Sequence, residues 1–141
     1  MPRLKLTADE FADLATQGVP YVGQLGLHLE RFEAGEVDMR LPWQDILVRP
    51  GGTICGPAIM GLADVTLYGV VLSMIGRQEL AVTTDLSFHF LSKPPPADLV
   101  AHGRLLRLGR TLAVGEVTVV SAATERPVAH AVGTYALPRE A

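Results

Sequence analysis

The chain has 141 residues, 48% of them hydrophobic, with 12 Lys and Arg against 15 Asp and Glu and a single cysteine. That length favours one domain, residues 1–141, burying roughly two-thirds of its unfolded surface, and the apolar content excludes a disordered chain. One cysteine excludes an internal disulfide and suits a reducing, cytoplasmic compartment; a net charge of −3 gives no reason to bind nucleic acid or an anionic membrane surface.

The start, Met1 to Glu10, is polar and lacks the apolar stretch of a signal peptide. Thr7 and Glu10 have the spacing of a capping box, with Phe11, Leu14 and Ala15 following at helical intervals; Gly18 and Pro20 end this helix. Two short strands, about Gly26 to Phe32 and Glu36 to Leu41, read as a hairpin, since Val37, Met39 and Leu41 alternate with Asp38 and Arg40. Gly51-Gly52 then allows a tight backbone turn, and Pro57 suits the first turn of a helix running to about Ile75. Gly61, Val65, Gly69 and Ser73 form a stripe of mostly small residues that would admit something flat.

From Ile54 to Ile75 the only charged residue is Asp64. The run is long enough to span a bilayer, but a carboxylate near its middle costs about 2.5–3.5 kcal/mol on insertion scales. A helix enclosed by other elements is the better reading, and no membrane is expected. The long segment Leu80–Leu91 puts Val82, Leu86, Phe88 and Phe90 mainly on one face and Thr83, Asp85, Ser87 and His89 on the other. Leu99–Leu108, Leu112–Val120 and Val128–Leu137 complete three more strands. A buried helix followed by such strands needs a sheet wrapped around it, which gives an α+β fold.

Asp64 is the most informative residue, because a carboxylate in apolar surroundings needs a partner to hold its charge, and such groups concentrate at functional sites. A structural carboxylate bonded to backbone or to an arginine is the other reading. Gly52 to Pro57 is a glycine-bearing turn into a helix, whose free N–H groups are suited to a developing oxyanion or form an ordinary junction.

Together, Gly52-x-x-Cys55-Gly56-Pro57 and Leu62-Ala63-Asp64 resemble the G-x-x-H-G-G…L-A-D signature of hotdog-fold acyl-CoA thioesterases, specifically the phenylacetate-degradation type within the hydroxybenzoyl-CoA thioesterase superfamily. Ala81 to Leu86, Leu108 to Ala113 and Val128 to Ala131 resemble the later strands of that family, so the likeness runs from about Gly26 to Leu137. The resemblance implies an antiparallel sheet wrapped around the helix and pairing edge to edge with a second subunit. It implies Asp64 as general base or nucleophile and the Gly56 N–H as the group polarising the thioester carbonyl. Arg49, Cys55, Tyr68, Thr83, Thr84 and Arg110 are the candidate substrate-binding residues, Arg110 toward the phosphates of coenzyme A. The chain departs from the family where His becomes Cys55, where the second Gly becomes Pro57, and where Asn or Gln becomes Arg49. Arg49 would either polarise the carbonyl or pair with Asp64. No Cys/His/Asn arrangement surrounds Cys55, and the histidines at 28, 89, 102 and 130 stand isolated on strands without metal-ligand spacing, so no metal or other cofactor is expected.

Gly56 and Asp64 are eight residues apart, about 12 Å along one helix. A carbonyl carbon cannot lie within about 3 Å of both, so if both act, as the resemblance implies, a partner chain must bring one of them. A homodimer, or the homotetramer that the resemblance also suggests, with sites at the subunit interface is expected. Hydrolysis of an acyl-CoA thioester is the leading function. The alternatives are a non-catalytic acyl-CoA or lipid-binding module and a hydratase, which would want a His paired with the carboxylate.

Overall fold

In the computed structural model, which describes residues 3–139, Thr7 caps helix α1 (Ala8–Gly18). Its hydroxyl accepts the Glu10 N–H and the Glu10 carboxylate accepts the Thr7 N–H, both at 3.1 Å. Met1 and Pro2 of the polar start, and 140 and 141 of the expected domain, lie outside the described residues. Pro20 does more than end α1. It opens a second helix, α2 (Pro20–Leu25), because a proline in the first turn gives up an N–H that has no intrahelical acceptor.

Strands β1 (His28–Glu33) and β2 (Glu36–Leu41) form the expected hairpin, and the long helix α3 occupies Gly56–Ile75. Strands β3 (Val82–Phe90), β4 (Leu99–Leu108), β5 (Leu112–Ser121) and β6 (Pro127–Ala136) follow. The six strands make one antiparallel sheet in the order β1-β2-β4-β5-β6-β3, so β1 and β3 are its edges. The sheet wraps around α3, which is the hotdog fold. By length and composition α3 would suffice to cross a bilayer, yet Leu62, Ala63, Thr66, Leu67 and Val70 are buried within the protein.

The close approach of helix to sheet comes from the sheet's own glycines. A Cβ at Gly103 would stand 2.8 Å from Thr66 Cγ2, and Cβ atoms at Gly115 and Gly133 would stand 2.8 Å and 2.7 Å from the methyls of Leu67. The small-residue stripe on α3 serves the other side. There Gly69 meets the flat ring of Phe11, with 3.0 Å left for a Cβ, and Ser73 Oγ accepts the Gly35 N–H at 2.9 Å.

Strand β3 departs from simple alternation. A bulge between Thr83 and Asp85, opposite β6, inserts a residue and reverses the facing of everything before it. Val82, expected inside with Leu86, is therefore 56% exposed, and Thr83, expected on the outer face with Asp85, turns toward α3.

Candidate active site

The N-terminus of α3 is built by a small turn. The Arg49 N–H donates to the Thr53 carbonyl at 2.8 Å, and Gly51 and Gly52 take φ of 98° and 85°, which only glycine adopts without strain. The Cys55 N–H then reaches the Leu47 carbonyl at 2.7 Å, which delivers Cys55 as the N-cap. Its thiol makes no capping bond. Gly56 and Pro57 follow, so in this first turn proline offers no N–H and glycine offers one that no intrahelical carbonyl can take.

An open cavity of about 530 Å³ lies against this helix end. Ile54, Ile59 and Phe90 give it apolar walls, Gly56 lies on its wall, and Arg49 and Lys93 supply positive charge. Ion pairs among the described residues use Arg31, Arg40, Arg77, Arg104, His102 and His130; Arg49 and Lys93 enter none of them. Within the chain Arg49 therefore does not pair with Asp64.

Asp64 sits two turns further along α3, half-buried. Its Oδ1 accepts two hydroxyl hydrogen bonds of 2.7 Å, one from Thr83 on β3 and one from Tyr135 on β6. These donors are cross-strand partners in the sheet, brought to the same face by the β3 bulge. The Tyr135 hydroxyl also lies 2.9 Å from the Asp64 carbonyl oxygen. Among the described residues, none donates to Oδ2. Burial, reinforced by the Asp64 charge, pushes the Tyr135 phenol far above its ordinary range, so it remains a protonated donor.

The other expected residues are dispersed. Tyr68 donates to the Glu79 carbonyl at 2.9 Å and opens onto a separate cavity of about 490 Å³ beside Leu14 and Leu80. Its ring stacks on Tyr135 at 6.1 Å, so it backs the Asp64 cluster rather than the Gly56 cavity. Thr84 donates to the Thr134 carbonyl at 3.2 Å, which stabilises the bulge. Arg110 lines a third cavity with Lys5 and Arg139, at the C-terminal end of α3 beside Met74 and Ile75. Two histidines are not isolated. His102 Nδ1 lies 2.9 Å from Asp38 Oδ1, and His130 Nε2 lies 3.4 Å from Glu116 Oε2.

Sequence reasoning missed Tyr135 and Lys93. The first had a usable signal: Ala129, Ala131, Gly133 and Tyr135 share the inner phase of β6, and a tyrosine there must find a partner for its hydroxyl. Lys93 opens the Lys93-Pro94-Pro95-Pro96 break after β3, where charge carries no pattern.

A family model for the thioesterase superfamily matches residues 51–128, which include Gly56, Asp64 and Thr83 and stop short of Tyr135. A solved structure from Silicibacter sp. TM1040, of a protein assigned as a thioesterase, is 40% identical and covers 98% of this chain and 96% of its own, with a TM-score of 0.88. A Halobacterium salinarum protein assigned as an esterase is 31% identical over 104 residues, 70% of this chain and 68% of its own length. The PaaI protein from the phenylacetic acid degradation operon of E. coli is similar in fold, at 16% identity and a TM-score of 0.82 over 94% of each chain.

Proposed function

Because this chain belongs to the thioesterase superfamily, we propose that it hydrolyses acyl-CoA thioesters at a site shared between two copies, with Asp64 from one and Gly56 from the other. The observation that carries this reading is the way edge strand β3 holds the two halves. Near its start, Thr83 binds Asp64; at its end, Phe90 lies against Gly56, where a Cβ would be 3.3 Å from Phe90 Cζ. Antiparallel pairing of β3 with β3 of a second copy about a two-fold axis sets the start of one strand beside the end of the other. Asp64 of one protomer then faces Gly56 of its partner, which removes the roughly 12 Å separation that α3 imposes within a chain. The exposed apolar side chains along this edge, Val82, Phe90 and Leu91, at 56%, 54% and 57%, support such pairing.

In this arrangement the thioester oxygen accepts the Gly56 N–H, assisted by the positive end of the α3 dipole and by Arg49. Asp64 Oδ2 takes a proton from water as the water oxygen bonds the carbonyl carbon. The C–S bond breaks and the proton passes to the departing thiolate, giving the free acid and coenzyme A. In the nucleophilic variant Oδ2 itself bonds the carbonyl carbon and the C–S bond breaks, releasing the coenzyme A thiolate. Water then cleaves the mixed anhydride, which returns the Asp64 carboxylate and the free acid, and the proton from water passes to the thiolate. Ile54, Ile59 and Phe90 would bound the acyl group. The test is release of free thiol from butyryl-, decanoyl- and benzoyl-CoA. Release that is abolished in Asp64→Asn supports the reading; saturable binding without release identifies a binding module instead.

A further inference from the structure

We propose that Tyr135 is a positioning residue that selects which oxygen of Asp64 reacts, an inference that rests on reading Asp64 as the base or nucleophile. Both hydroxyl donors at Asp64 converge on Oδ1, at 2.7 Å each, while no described residue donates to Oδ2. A carboxylate held in this way has its rotation fixed and one oxygen's lone pairs engaged, which leaves the other oxygen free to meet water or the thioester carbon.

The two donors are not equivalent. Thr83 stands on an edge strand and is part-exposed, whereas Tyr135 is 3% exposed on β6, with Ala113 of β5 on one side and Thr83 of β3 on the other. Its ring stacks on Tyr68 at 6.1 Å with 25° between the planes, and Tyr68 is in turn tilted against Phe11 of α1. The phenol therefore comes from a buried side chain on a strand paired on both sides. Its 2.9 Å approach to the Asp64 carbonyl ties the same hydroxyl to the helix backbone, so side chain and backbone are held relative to one donor. Because its proton is retained, it donates throughout the working pH range.

Tyr135→Phe tests this in the full-length protein. The substitution keeps the ring and its stack, leaves Oδ1 bonded to Thr83, and leaves the Asp64 carbonyl its intrahelical N–H partner, so folding should persist. Tyr135→Met supplies a second donor-free variant should the first prove unstable. With whichever of butyryl-, decanoyl- and benzoyl-CoA the parent cleaves fastest, we expect kcat to fall about tenfold with KM within about twofold, the split that follows when an aligned reacting group is loosened. In an Asp64→Asn background the same change should cost nothing further, because the phenol acts through the carboxylate. An unchanged kcat, a matching rise in KM, or a loss that multiplies that of Asp64→Asn would overturn the assignment while leaving Asp64 catalytic. Parent-level turnover by Asp64→Asn, or none of the three substrates cleaved by the parent, would instead remove the reading of Asp64 and the assignment with it.

Discussion

Replacing Asp64 by Asn separates the charge of this side chain from its shape. Two hydroxyls aim their protons at Oδ1 from 2.7 Å, so the amide will turn its carbonyl toward them and keep both bonds. Its NH2 group then occupies the Oδ2 position, where a donor replaces an acceptor to which no described residue donates. The fold loses little, since the side chain is nearly isosteric and both donors stay satisfied; a cost under about 1 kcal/mol corresponds to a melting shift of no more than about 4 °C at this size. On the proposed mechanism, catalysis loses its base or nucleophile. A drop of at least about 100-fold in thiol release is expected, near 2.7 kcal/mol of barrier at about 1.36 kcal/mol per decade. The assay follows free coenzyme A from the three acyl-CoAs beside a thermal melt of the same preparation. A variant that melts with the parent and hydrolyses at the parent rate would refute the reasoning.

Arg49→Gln should lower kcat by about tenfold if the guanidinium meets the growing oxyanion, with the acidic limb of the pH–rate profile unmoved. If Arg49 instead pairs with Asp64 across the interface, it favours the charged carboxylate; its removal would hold or raise activity and move that limb to higher pH. Sedimentation at micromolar concentration should give a dimer or a multiple of one, and a monomer would count against a shared site. Gly133→Ala should destabilise the fold by about 1–3 kcal/mol in urea titrations, because its Cβ would lie 2.7 Å from Leu67 Cδ1 and 3.0 Å from Leu86 Cδ1. A stability equal to that of the parent would show that the packed helix yields at this point.

Local signals account for what the sequence revealed. The capping box at Thr7 and Glu10, the alternation in β2 and the length of the apolar run in α3 each act over a few residues, and each appears where expected. The role of Pro20 was misread because the same residue both ends one helix and starts another, and only the packing of Val22 and Leu25 into the core decides between them. Asp64 was identifiable as the one charge in its run. Its partners were not, because Thr83 turns inward only through a bulge whose register depends on β6, and Tyr135 lies 71 positions away in sequence.

The bulge also explains how the fold tolerates a carboxylate in the middle of its core helix. Over β4, β5 and β6 the sheet meets α3 with glycines, and an apolar contact there leaves no place for a charge. At Asp64 it presents two hydroxyls instead. Hydrogen bonds to a charged group contribute about 1.5–3 kcal/mol each, so two of them offset a desolvation penalty that amounts to several kcal/mol for a fully buried ion and less for one that is half-buried. A regular β3 would turn Thr83 outward and halve that compensation. It would also leave Asp64 held by the phenol alone. The irregularity that stabilises the charge thus also gathers both hydroxyls on one oxygen: with Oδ1 bonded twice from the sheet, Oδ2 is left as the oxygen to which no described residue donates.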